Sequence, residues 1–158
     1  MQSGLDGGAG NRKAPSTAPI VGESIVDRNS SSCCGHRILF VDDDPVGLRV
    51  RGELLEELGN SVVLCDSPAA ALSCKLSSFD LGVLDFHMPG LNGRELLLRI
   101  RAAGGRFPII LLTGYLGVLD HEDRVLFARC IDKGEPIQRL LDCIVELLDP
   151  SQLPDYGT

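Results

Sequence analysis

Three short apolar runs and one weaker strand-like segment in this 158-residue chain each end abruptly in a polar side chain able to do chemistry. Ile38-Leu39-Phe40-Val41 runs into Asp42, Asp43 and Asp44; the run from Leu81 to Leu84 stops at Asp85; Pro108-Ile109-Ile110-Leu111-Leu112 stops at Thr113; and Arg129 to Asp132 stops at Lys133. Carboxylates brought together repel one another and raise one another's pKa values. A divalent cation relieves that repulsion, and hard oxygen ligands with room left for water and phosphate oxygens suit Mg²⁺. Beside such an ion Asp85 stays ionised as a nucleophile, and carboxylates do form aspartyl-phosphate intermediates. The Lys133 ammonium and the Thr113 hydroxyl, with nearby backbone N–H groups, would then stabilise the remaining oxygens of a transferring phosphoryl group.

What must position these groups is a set of parallel strands, because α/β folds place their chemistry at the carboxyl ends of such strands. Each apolar run is short enough to be a buried strand, and each is followed by a helical pattern. Val46, Val50, Leu54 and Leu58 recur every four residues with Leu55 beside them, while Arg49, Arg51, Glu53, Glu56 and Glu57 fall outside; Gly59 closes that helix. Val62 to Cys65 is a further strand, and Ser67-Pro68 supplies an N-cap and first-turn proline for a helix from Ala69 to about Leu76. Asn92 caps a helix whose inner face takes Leu96, Leu97 and Ile100. A short helix is expected from Asp120 to about Phe127, and a final one carries Ile137, Leu140, Leu141, Ile144, Leu147 and Leu148 on one face before Pro150. Five strand-then-helix repeats predict an α/β, doubly wound, five-stranded parallel sheet with helices on both faces.

Composition agrees. Hydrophobic residues make up 44% and aromatics 4%, with no Trp, which favours an aliphatic core between helices and a parallel sheet. The formal net charge of -7 and the absence of any Lys/Arg cluster argue against binding to nucleic acid. No apolar run of about 18 residues occurs, so no membrane span is expected. The six cysteines at 33, 34, 65, 74, 130 and 143 have no framework spacing and read as reduced thiols of a soluble, cytoplasmic protein. Cys33-Cys34-Gly35-His36 lacks a second pair of ligands at zinc-site spacing. Residues 1–35, rich in Gly, Ser, Ala, Pro and Asn, are expected to be a disordered extension, and 150–158 a short tail around an ordered unit of 36–149.

ILFVDDDP, LDFHMPGLNG, LLTG and the lysine at 133 together resemble the receiver domain of two-component response regulators, from Arg37 to about Leu148. The most specific part is D-x-x-M-P-x-x-x-G, from Asp85 through Met88-Pro89 to Gly93. The resemblance implies a (βα)5 flavodoxin-like fold with strand order 2-1-3-4-5. It implies that Asp85 is the phosphoacceptor, that Asp42 and Asp43 are the acidic pair with Asp43 the direct metal ligand, and that the His87 backbone carbonyl joins Asp85 around Mg²⁺ or Mn²⁺. Thr113 becomes the switch hydroxyl and Lys133 the family's lysine. The chain departs from the pattern in having Gly134 rather than proline after Lys133, and Cys130 where an aromatic is usual; Tyr115 and Phe127 are the candidates to stand in for it. His87 and Tyr115 occupy positions that in this family influence acyl-phosphate lifetime.

Two other readings compete. Val41 to Val46 also fits the D-x-D-x-V motif of haloacid-dehalogenase-like phosphatases, which would make Asp42 the nucleophile and Asp44 the acid/base, but leaves the Asp85 segment unexplained and lacks a later paired acidic motif. A pseudo-receiver would fold alike and act only as an unphosphorylated interaction module. The expectation is a stand-alone regulator, itself no enzyme, taking phosphate from a sensor histidine kinase or phosphotransfer protein and passing the signal to a protein target or a second copy of the chain.

Overall fold

The computed structural model describes residues 35–149. The expected N-terminal extension, apart from Gly35, and the tail after Asp149 lie outside the described residues, as do Cys33 and Cys34. The strands are β1 (Arg37–Val41), β2 (Ser61–Cys65), β3 (Leu81–Asp85), β4 (Ile109–Thr113) and β5 (Arg129–Asp132). The α-helices are α1 (Pro45–Glu57), α2 (Pro68–Leu72), α3 (Gly93–Ala102), α4 (His121–Arg124) and α5 (Ile137–Leu148). All neighbouring strands pair in parallel, in the order β2-β1-β3-β4-β5. The expected fold is therefore the observed one.

Alternating side chains divide the core in two, as the pleat of a strand requires. Ile38, Phe40, Val83, Ile110, Leu112 and Ile131 pack with Leu48 and Leu55 of α1 and Leu140 and Ile144 of α5. Leu39, Val41, Leu84 and Leu111 face the other way, onto Ala71, Leu96, Leu97, Ile100 and Phe127. Strands buried on both faces explain why the sequence shows continuous apolar runs instead of alternation.

Local signals place the helices. Asp44 caps α1 by accepting from the Val46 and Gly47 N–H groups, and Ser67 caps α2 through Ala70 N–H. Asn92 and Glu95 form a reciprocal capping box at α3. The expected lengths of α2 and α4 are corrected: α2 ends at Leu72, followed by a separate 3₁₀ turn at Leu76–Ser78, and α4 is only four residues long.

The inner face of α1 is also corrected. Leu48, Gly52 and Leu55 are buried, whereas Val46, Val50 and Leu58 are 63%, 47% and 40% exposed. Gly52 explains the difference, since a Cβ there would meet Leu64 Cδ2 at 2.6 Å. The helix approaches β2 through a residue with no side chain, so its inward stripe is hidden from a count of apolar residues.

Candidate functional site

Parallel pairing brings the carboxyl ends of β1, β3, β4 and β5 to one edge of the sheet. Asp42 follows β1 and is fully buried, Asp85 ends β3 at 4% exposure, and Thr113 ends β4 fully buried. Asp43 is exposed beside them. One oxygen from each of Asp42, Asp43 and Asp85 falls within a 4.8 Å cluster. Lys133, just past β5, reaches back to place Nζ 2.9 Å from Asp42 Oδ2 and 3.1 Å from Asp85 Oδ1.

The loop after β3 holds Asp85 in place through backbone contacts. Met88 is buried in the core, Gly90 turns the chain at φ +88°, and Gly93 N–H donates to the Phe86 carbonyl at 2.8 Å. A Cβ on Gly93 would lie 2.7 Å from the Asp85 carbonyl oxygen, so the final glycine of the motif is there because backbone passes against backbone. Gly93 thus lets the loop pack directly against the Asp85 backbone, while Met88 anchors the loop in the core.

The turn carrying Lys133 is held without a proline at 134. Lys133 N–H donates to the Thr113 carbonyl at 2.8 Å, Gly134 N–H to Asp132 Oδ1 at 2.8 Å, and Asp132 N–H to Glu135 Oε1 at 3.1 Å. The ammonium points into the acidic cluster in this arrangement.

Burial raises the Asp85 carboxyl above the usual range, and Lys133 opposes that rise through its charge and hydrogen bond. Asp42 adds to the rise, and the His87 backbone N–H, hydrogen-bonded to Asp85, lowers it. For Lys133, burial alone would lower the pKa, but pairing with Asp42 and then Asp85 carries it above the ordinary lysine range. Asp42 Oδ2, although ion-paired, has no partner of hydrogen-bonding geometry. A buried carboxylate oxygen left in that state, within a cluster made only of oxygen donors, fits a hard divalent cation.

Thr113 Oγ1 accepts from Tyr115 N–H at 3.2 Å. Of the two aromatics expected to replace the missing one on β5, Phe127 is buried in the core and Tyr115 is 67% exposed. Tyr115 meets His87 edge-on at 5.7 Å between ring centroids, beside the site. Cys130 itself is half-buried, with Sγ 3.8 Å from the Arg124 carbonyl oxygen.

Arg51, read from the sequence as an outward residue of α1, turns toward the cluster with Nη1 3.9 Å from Asp42 Oδ2. Its spacing is the available signal: Leu48, Arg51 and Leu55 stand at i, i+3 and i+7, one helical face.

The strand order, the acidic cluster and the lysine across from it define an α/β domain of receiver type. The family model of the response regulator receiver domain matches residues 38–136, and the chain belongs to that family, a family of signalling domains. It is 35% identical over 102 residues to the sensor histidine kinase GacS of Pseudomonas protegens, a match covering 61% of this chain and 11% of GacS. It is 40% identical over 82 residues to the transcriptional regulatory protein FixJ of Bradyrhizobium diazoefficiens, covering 51% of this chain and 40% of FixJ. The chain thus spans less than half the length of either relative. Among solved structures it is similar to the response regulator TrrA of Thermotoga maritima in complex with Mg²⁺-BeF, with a TM-score of 0.65 and 31% identity over 72% of this chain and 99% of that one. Among the described residues no helix is long and apolar enough to cross a membrane.

Proposed function

We propose that Asp85 accepts a phosphoryl group from a phosphohistidine of a sensor histidine kinase or phosphotransfer protein. The observation that carries this reading is Lys133 Nζ bridging Asp42 Oδ2 and Asp85 Oδ1 at 2.9 and 3.1 Å, which joins the acidic pair to the acceptor in one charge network. The relationship to a sensor histidine kinase supports the donor class. The Mg²⁺-BeF complex of TrrA supports Mg²⁺, or Mn²⁺ in its place, as the cation.

Asp42, Asp43, Asp85 and the His87 backbone carbonyl are the residues that would hold it. When bound, the cation offsets the carboxylate charge and that of the phosphoryl oxygens. An Asp85 oxygen forms the new bond to phosphorus as the phosphorus–nitrogen bond breaks, and the imidazole leaves with a proton. Lys133 turns from Asp42 toward a phosphoryl oxygen, and the Thr113 hydroxyl donates to another. Thr113 moving with its loop would bias residues 113–135 between two arrangements and change affinity for a protein target or a second copy of the chain. The unit that does this is 36–149.

The phosphatase reading needs Asp44 as acid/base, but both Asp44 oxygens accept helix N–H groups of α1. Incubation with Mg²⁺ and acetyl phosphate or phosphoramidate, followed by intact mass, is expected to add one phosphate to the wild type and none to Asp85→Asn. An adduct lost only in Asp42→Asn favours the phosphatase; no adduct on wild type leaves the interaction-module reading standing.

A further inference from the structure

Cys65 is the last residue of β2 and Cys74 follows α2, and their Sγ atoms lie 4.0 Å apart. Both are free thiols; Cys65 is 4% exposed and Cys74 is half-buried. A disulfide needs the sulfurs at about 2.0 Å. Cys74 sits on a bend after a five-residue helix, and closing the remaining gap requires its Sγ to give up a 3.4 Å contact with the Ala70 carbonyl oxygen. We infer that Cys65 and Cys74 are a reversible dithiol–disulfide site that reacts with low-molecular-weight disulfides.

The order of steps follows from access. The Cys74 thiolate attacks one sulfur of the small disulfide, breaking its S–S bond and releasing one thiolate. Cys65 then gives up its proton to solvent and attacks Cys74 Sγ, expelling the second small thiolate. Two protein thiols are oxidised and one small disulfide is reduced to two thiols. Cys65 is 4% exposed and out of reach of a small disulfide in solution, whereas Cys74 is half-buried, which makes Cys65 the resolving and not the attacking sulfur.

The site borders the acidic cluster. The Cys65 carbonyl accepts the Asp42 N–H at 3.1 Å, so the oxidation state of the pair is one hydrogen bond from the residue that meets Lys133.

Trypsin releases both cysteines on one peptide, Gly52–Lys75, because no other Lys or Arg lies between them. After the full chain is equilibrated with oxidised glutathione and its free thiols are alkylated, that peptide is expected two hydrogens lighter and without alkyl groups. Reduction should restore two alkylation sites. In Cys65→Ser the reaction should stop at a glutathione adduct on Cys74. Amide exchange at Asp42 should slow by about threefold in the oxidised chain. A wild-type peptide that keeps both thiols, or that stops at the mixed disulfide, overturns the site; unchanged Asp42 exchange overturns its link to the acidic cluster.

Discussion

Lys133 Nζ lies 2.9 Å from Asp42 Oδ2, closer than its 3.1 Å to Asp85 Oδ1. The lysine thus engages Asp42 at least as closely as Asp85, and a cation bound there would compete with it for Asp42.

Replacing Lys133 should therefore separate two effects. In Lys133→Met, Mg²⁺ affinity is expected to rise several-fold, roughly the loss of a competing cation at high effective dielectric. Phosphoryl uptake from acetyl phosphate should fall by about tenfold or more. Without Mg²⁺ the variant should be about 2 kcal/mol less stable, the cost of a broken buried pair discounted for the partial exposure of Lys133. Calorimetric Mg²⁺ titration and urea unfolding check these; weaker Mg²⁺ binding would refute the competition.

Arg51 tests the same electrostatics from the helix side. With Nη1 3.9 Å from Asp42 Oδ2, it adds positive potential without a hydrogen bond to that atom. Arg51→Met should tighten Mg²⁺ binding by about threefold and leave the extent of phosphorylation unchanged. An unaltered Mg²⁺ titration would show that Arg51 does not act on the cluster.

The Asp85 pKa is raised by burial first and by Asp42, against Lys133 and the His87 N–H. A folded-state value above the unfolded 3.8 means that stability is fully present below 3.8 and is lost as pH rises through the folded value. At pH 7 without Mg²⁺, Asp85→Asn should melt at a higher temperature than wild type. The gap should close as pH falls toward 4. Thermal unfolding at the two pH values decides it, and equal melting at pH 7 would contradict the sign.

Gly93→Ala should destabilise the fold by about 2 kcal/mol, because overpacking here presses a methyl group onto backbone, not a flexible side chain. Gly90→Ala, which strains only a positive φ, should cost about 1 kcal/mol. Urea unfolding of the pair tests the ranking.

The strands and strand ends were legible because each buried run stops at a polar residue, and Asn92 and Ser67 announced their helices by cap chemistry. The face of α1 was not. Its inward stripe passes through Gly52, while the conspicuous Val46 and Val50 remain exposed. Arg51 was missed for the same reason, since a wrong face puts an inward-turning side chain on the outside. The turn at Gly134 was illegible because it depends on Asp132 and Glu135 bonding across it.

The strand order has a consequence in time. β1 and β3 are neighbours near the middle of the sheet, whereas β5 stands at its edge and brings in Lys133 about ninety residues after Asp42. A nascent chain emerging from the ribosome can pair its first three strands, and so hold Asp42 near Asp85, well before the cation that offsets them has been synthesised. During that interval Arg51 of α1 is the only cation of the site already made, and it reaches Asp42 and not Asp85. Ambient Mg²⁺ would then act as a folding aid for the half-made sheet before it serves any signal.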